Sequence, residues 1–337
     1  MCSGRSLVLG ACLMAGLLPN GRAVAQQDLL SEPFSVRNQN PFIIVYGLPS
    51  AVPSELLTED ESSLQLQFDV SNNSKGSETP EELIVLDGET YRLAMIYRRG
   101  LGHGWQASVE LPVIAHGPGV MDNFIEDWHD IFGLSNSDRD PWPKNRLFFS
   151  YSRNGEIEAE LTDGSTGLGD LQLQVSKQLA VSDTGRHLAL HASLKLPTGD
   201  ADRFQGSGGT DLALWFSGAA PTLIESWRVG GYLQAGLLLL DEGDLLPDQQ
   251  RSVVWFGGGG VHWRAWPWLM LKAQLDAHSS FYDSELDQLG LRSVMLTVGG
   301  SIPVGGDAGA VDLAIGENLS TDTIPDFMIN LAYRHRF

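Results

Sequence analysis

The chain has 337 residues, with 22 Lys and Arg against 42 Asp and Glu, and the resulting net charge of −20 argues against a nucleic-acid partner. No apolar run after residue 25 approaches the roughly 18 residues of a membrane-spanning helix, so a bilayer can be crossed only as a closed β-barrel. Cys2 and Cys12 both precede residue 26, which leaves the remainder without a disulfide, a thiolate metal site or a thiol nucleophile.

Residues 1–25 read as a secretory signal peptide: Arg5, an apolar stretch from Leu7 to Leu18, then Ala23-Val24-Ala25 as the cleavage site. Leu9-Gly10-Ala11-Cys12 offers a rival lipoprotein box, with a very short apolar core. Removing Arg5 and Arg22 with the peptide takes 22 basic residues to 20 and the charge to −22. No Pro/Ser/Gly-rich linker divides residues 26–337, so a single domain is expected. Its first stretch, residues 26–61, lacks strand alternation but holds one apolar patch, Phe42 to Tyr46, and reads as a periplasmic arm or partial plug.

From residue 62 onward, period-two alternation dominates. Leu64, Leu66, Phe68 and Val70 open the series, followed by Tyr91 to Tyr97, Trp105 to Val113, Leu147 to Tyr151, and a weak run from Ile157 to Leu161. Leu171 to Val175, Leu188 to Leu196, Leu212 to Phe216, Trp227 to Leu239, Val253 to Trp263, Leu269 to Ala277, Val294 to Ile302 and Val311 to Ile315 come next. The terminal run has Phe327, Ile329, Leu331, Tyr333 and Phe337 on one parity; Leu331, Tyr333 and the final Phe337 form the membrane-insertion signal, from which His335 departs. The expectation is an all-β, closed antiparallel transmembrane barrel of about fourteen strands, or twelve if Asn154-Gly155 only decorates an outer loop.

Links alternate in length. Residues 99–104, 180–186, 219–226, 264–267 and 304–308 are short, whereas 71–89, 115–144, 197–210, 241–250, 279–288 and 320–325 are mostly longer and more polar. Short periplasmic turns opposite long outer loops are the bacterial pattern. Tyr97, Trp105, Trp227, Trp263, Trp266, Trp268 and Tyr333 then fall toward the periplasmic ends, as an interfacial girdle requires. Within the longest outer loop, Val120, Phe124, Trp128 and Phe132 recur every fourth residue and predict an amphipathic helix ended by Gly133. It serves either to gate the lumen or to pack on the rim.

Thr166-Gly167-Leu168-Gly169-Asp170, Leu194-Lys195-Leu196-Pro197-Thr198-Gly199-Asp200 and Gly208-Gly209-Thr210-Asp211, in that order, resemble outer-membrane transporters linked to aromatic-compound degradation. Asn40-Pro41-Phe42 with Tyr46-Gly47-Leu48-Pro49, Phe124-Ile125-Glu126-Asp127-Trp128-His129, and Asp276 to Tyr282 more closely resemble an uncharacterised family of Gram-negative outer-membrane barrels, classed as a domain of unknown function. The likeness covers nearly all of residues 26–337. It implies a barrel and an envelope location, and it transfers no substrate or catalytic residue.

Opposite parity places Arg92, Arg98, Lys195, Arg228, Lys272 and Arg336 in the lumen with Asp69, Glu110, Asp170, Asp211, Asp276 and Asp312. Such a mixture either lines an aqueous path or cross-links a small interior. His278 and Ser280 share a parity in a fragment seen in outer-membrane lipid deacylases, but they point inward, and polar residues at a strand end explain them as well. His187 and His191 lie about 13 Å apart along a strand, too far to chelate one ion. Acidic loops around Glu78 to Glu89 and Asp241 to Asp248 match no calcium spacing and read as a solvated rim or as cation bridges to lipopolysaccharide.

The function expected is a passive channel or transporter for a small amphipathic solute, with a packed structural barrel as the alternative and a lipid-modifying enzyme third. No catalytic residue, cofactor or metal is expected. The partners would be outer-membrane lipid and lipopolysaccharide, the barrel-assembly machinery and a small-molecule solute.

Overall fold

Period-two alternation becomes fifteen strands in the computed structural model, which describes residues 29–119, 121, 145–319 and 323–337. They are β1 (Ser62–Glu78), β2 (Glu82–Gly102), β3 (Trp105–Gly117), β4 (Phe148–Arg153), β5 (Glu156–Leu161), β6 (Ser165–Leu168), β7 (Leu171–Val181) and β8 (His187–Leu196). After them come β9 (Asp211–Ile224), β10 (Val229–Leu240), β11 (Val253–Trp266), β12 (Leu269–His278), β13 (Ser293–Pro303), β14 (Gly309–Asn318) and β15 (Phe327–Arg336). Twelve of them, β1 to β3 and β7 to β15, pair antiparallel with their neighbours, and β1 meets β15 from Ser63↔Arg336 to Asn72↔Phe327, so the ring has no free edge. The ring therefore has the smaller of the two strand counts that the sequence left open, because the hairpin turning at Asn154 and Gly155, both at positive φ, stands on the rim.

The other three strands extend that rim. β4 pairs with β2 from Glu82↔Arg153 to Asp87↔Phe148, continuing upward the edge that β3 occupies below, and β5 pairs with β4. Gly88, at φ +148, marks the change of partner; a Cβ there would stand 2.8 Å from the Leu147 side chain. Residues 71–89, expected as an outer loop, instead carry the β1–β2 hairpin, paired out to Glu78↔Leu83. The polar run Ser71 to Glu78 has no alternation to betray a strand, yet its backbone pairs with Leu83 to Thr90 opposite.

Outward side chains form a continuous apolar belt: Leu66, Leu93, Leu173, Leu214, Leu237, Leu275 and Leu313 are all exposed. A bare surface of this extent faces lipid. At the end carrying the short turns, hereafter the near end, Tyr97, Trp105, Trp227, Trp263, Trp266, Trp268 and Tyr333 are likewise exposed, in the expected girdle. Leu331 and Phe337 point outward beside Tyr333.

The core lies inside the ring, and residues 29–61 supply much of it. The segment enters at the near end, where Leu29 and Leu30 pack on Met270 and Ala310, and passes Phe34 and Val36 along Met295 and Met328. It turns at the far end, where the Asn40 carbonyl accepts from the N–H groups of Ile43 and Ile44 at 2.8 Å each. It then returns, so that Leu57 N–H donates to Gln106 Oε1 at 3.0 Å back at the near end. Phe42 and Tyr46 at its tip join Ile84 and Leu86 of β2, Phe149 and Tyr151 of β4, Trp215, Phe256 and Phe281 in one apolar cluster across the far mouth. The Phe42 ring meets Phe204 edge-on at 5.0 Å, and Tyr46 stacks on Phe281 at 5.0 Å.

Candidate functional site

Alternation puts every second strand residue inside the ring, and there the polar residues meet the backbone of residues 29–61. Glutamine does much of this work. Gln274 accepts from Phe34 N–H at 3.0 Å and donates to Phe34 C=O at 3.1 Å, satisfying one peptide on both sides. Gln67 donates to Ser35 C=O at 2.7 Å, and Gln178 accepts from Leu56 N–H at 3.1 Å while donating to Ser54 C=O at 3.0 Å. These residues share parity with the charged ones, so the pattern that exposed the latter also held the former.

Charges form three clusters, two with a charged member on the inner segment and the third bonded to its backbone. Near the short turns, Glu32 accepts from Arg334 at 2.8 Å and Arg336 at 3.0 Å, while Asp312 accepts from Arg334 at 2.7 Å and faces Lys272 at 3.4 Å. Burial by itself raises the Glu32 carboxyl, but Arg334, Arg336 and Arg98 outweigh it and hold the group below its ordinary value. Midway, Arg37 reaches both Glu110 oxygens at 2.7 and 3.0 Å; Arg92 also binds Glu110, and it meets Asp69 at 3.4 Å. Toward the far end, Lys195 contacts Asp170 at 2.7 Å, Asp211 at 3.2 Å and the Val45 carbonyl at 3.3 Å, and Asp211 accepts from Gly47 N–H at 2.7 Å.

Asp170 accounts for the recurring Gly-Asp and Pro-Thr-Gly-Asp motifs. Its carboxylate accepts from the N–H groups of Thr198 at 2.9 Å, Gly199 at 2.7 Å and Ser207 at 3.2 Å, knotting both ends of the outer loop 197–210 to the Lys195 cluster. Of the charged residues expected inside, Arg92, Arg98, Glu110, Asp170, Lys195, Asp211, Lys272, Asp276 and Asp312 all face the lumen or the loops that cap it. Arg228 does not. It sits exposed on a near-end turn at φ +55, and the register shift between Val229 and Gly231 breaks the parity from which its position was inferred.

His278 is held by Asn38 Nδ2 at 3.1 Å and the Ser279 carbonyl at 2.8 Å, so both ring nitrogens are engaged without Ser280. His191 bridges Ser176 at 2.8 Å and Ser217 at 2.7 Å. No group of three or more His, Asp or Glu side chains among the described residues converges as a metal site. Val120, Phe124, Trp128 and Phe132, expected as a gating helix, lie outside the described residues. Between the inner segment and the wall, cavities of about 20, 20 and 50 Å³ are found, each too small for an organic solute. The inner segment thus occupies the lumen.

Among solved structures, the COG4313 outer membrane channel from Pseudomonas putida F1 is similar in fold, with 12% identity, a TM-score of 0.55, and coverage of 84% of this chain and 98% of that one. The NanC porin (10% identity, TM-score 0.45, 80% and 97% covered) and the Ralstonia pickettii toluene transporter TbuX (10%, 0.41, 83% and 90%) are more distant. None of the curated proteins matches the chain. A sequence profile does match: over residues 12–337 it is that of DUF3187, described as a protein of unknown function, and the chain belongs to this family.

Proposed function

We propose that the chain is an outer-membrane barrel, exported by its amino-terminal signal peptide, that conducts a small amphipathic solute and is held shut at rest by residues 29–61. One observation carries this reading: the lumen is filled by a separate stretch of chain that, besides apolar packing at its ends and tip, meets the wall through ion pairs and side-chain amide hydrogen bonds. A barrel built only to be packed needs no such surface, since well-packed apolar side chains are as stabilising as buried ion pairs or more so. Polar ties can be exchanged for water on both surfaces when the segment leaves. The near end then faces the periplasm and the capped end faces outward, among lipopolysaccharide.

Single-channel conductance and liposome swelling test the reading. Deletion of residues 33–55 is expected to open a steady pore in a barrel that still migrates heat-modifiably, whereas deletion of residues 120–133 alone leaves the inner segment in place and the path shut. A folded barrel lacking both segments that conducts nothing would favour the structural alternative.

A further inference from the structure

In two of the three clusters buried cations outnumber the carboxylates that face them, although the chain as a whole carries −20. The middle cluster sets Arg37, Arg92 and Arg98 against Asp69 and Glu110; the near-end cluster sets Lys272, Arg334 and Arg336 against Glu32 and Asp312. Five of these six cations have a carboxylate within 3.4 Å. Arg98 is the exception. It is only 6% exposed, and both its Nη atoms donate to one neutral acceptor, Gln65 Oε1, at 3.2 Å. Glu32 and Glu110 act on it only from beyond ion-pair distance, so the buried guanidinium lacks the direct counter-charge that its neighbours have.

Arg98 lines the cavity of about 20 Å³ between the inner segment and the wall formed by β2, β3, β7 and β8. The same cavity is lined by Arg37 and Ser108, and the Nε of Arg37 and the Oγ of Ser108 are buried with no hydrogen-bond partner. Glu110 also borders it, but its oxygens are taken by Arg37 and Arg92. Asp276, whose carboxylate accepts from Gln274 at 2.7 Å, lines a second cavity on the side of Val36, Arg37 and Asn38 and is not among the residues that line this niche. A water needs about 10–15 Å³ of such space, so the niche holds one particle of that order. Its free groups are guanidinium donors and a hydroxyl, and a guanidinium accepts nothing.

We propose that this niche binds one small monovalent anion of chloride size, held by Arg98 with the Ser108 hydroxyl and Arg37 Nε. The anion belongs to the closed protein, so the site stands or falls independently of transport. Crystals of the intact barrel grown in bromide test it by anomalous scattering. A bromide peak within hydrogen-bonding distance of Arg98, lost in Arg98→Gln, is the expected result. An empty niche in the wild type, or a peak that persists in Arg98→Gln, overturns the proposal. Should Arg98→Gln fail to assemble, a bromide series on the wild-type protein decides: occupancy that saturates supports the site, and occupancy that climbs without saturating, as at an adventitious ion position, refutes it.

Discussion

Arg37→Met separates a seated plug from a merely filled interior. The substitution keeps most of the side-chain stem but removes both hydrogen bonds to Glu110, at 2.7 and 3.0 Å, from a residue that is almost fully buried. Bonds to a charged group contribute about 1.5–3 kcal/mol each. Glu110 keeps Arg92, so the loss falls short of that for a stranded carboxylate, and about 3 kcal/mol is a reasonable total. At about 1.4 kcal/mol per tenfold, the ratio of open to closed barrels rises on the order of 100-fold. Planar-bilayer recording reads this as open time, with Arg99→Met as control, since its partner Asp60 is exposed and such pairs contribute about 1 kcal/mol or less. A variant that folds, shows the heat-modifiable shift and opens no more often than Arg99→Met would refute the idea that the Arg37 contact holds the path shut.

Acidification should loosen the same seat from its near end. Because Glu32 titrates below its ordinary 4.5 while docked, its contribution is fully present above that value and is lost as pH falls through the lower, docked value. Open time therefore rises below about pH 4.5, and Glu32→Gln flattens that part of the profile; an unchanged profile in Glu32→Gln would count against it. The belt can be tested at Leu313, 58% exposed on β14. Leu313→Arg is expected to destabilise the folded barrel by about 2–4 kcal/mol in urea titrations in lipid, and an effect no larger than that of Leu313→Ala would mean the position does not face the bilayer interior.

The barrel was legible wherever one face meets lipid and the other the lumen. In β12, Leu271 and Leu275 alternate with Lys272 and Gln274, and the structure places them outside and inside accordingly. Legibility failed where that two-sided environment ends. Ser71 to Glu78 stand above the belt, where polar contacts surround both faces, so no apolar parity marks the strand. Parity also misplaced Arg228, because one residue at positive φ and an adjoining bulge shift the phase. Residues 29–61 showed only the Phe42 to Tyr46 patch. Their position is set by side chains of the wall, such as Gln274 and Gln178, that grip main-chain groups any sequence would present.

Glu32 and Arg334 are separated by 302 positions in the chain, and the last strand carries Arg334 into place only when it zips against the first. Before that moment the amino-terminal stretch has no complete berth, and without it the closing strand would carry Arg336 inward with no carboxylate and leave Arg334 with Asp312 alone. Completing the circumference and stocking its interior must then happen together, late in biogenesis, as contacts of such long sequence separation are slow to form. A polypeptide halted before its final hairpin would be left with its beginning unmoored.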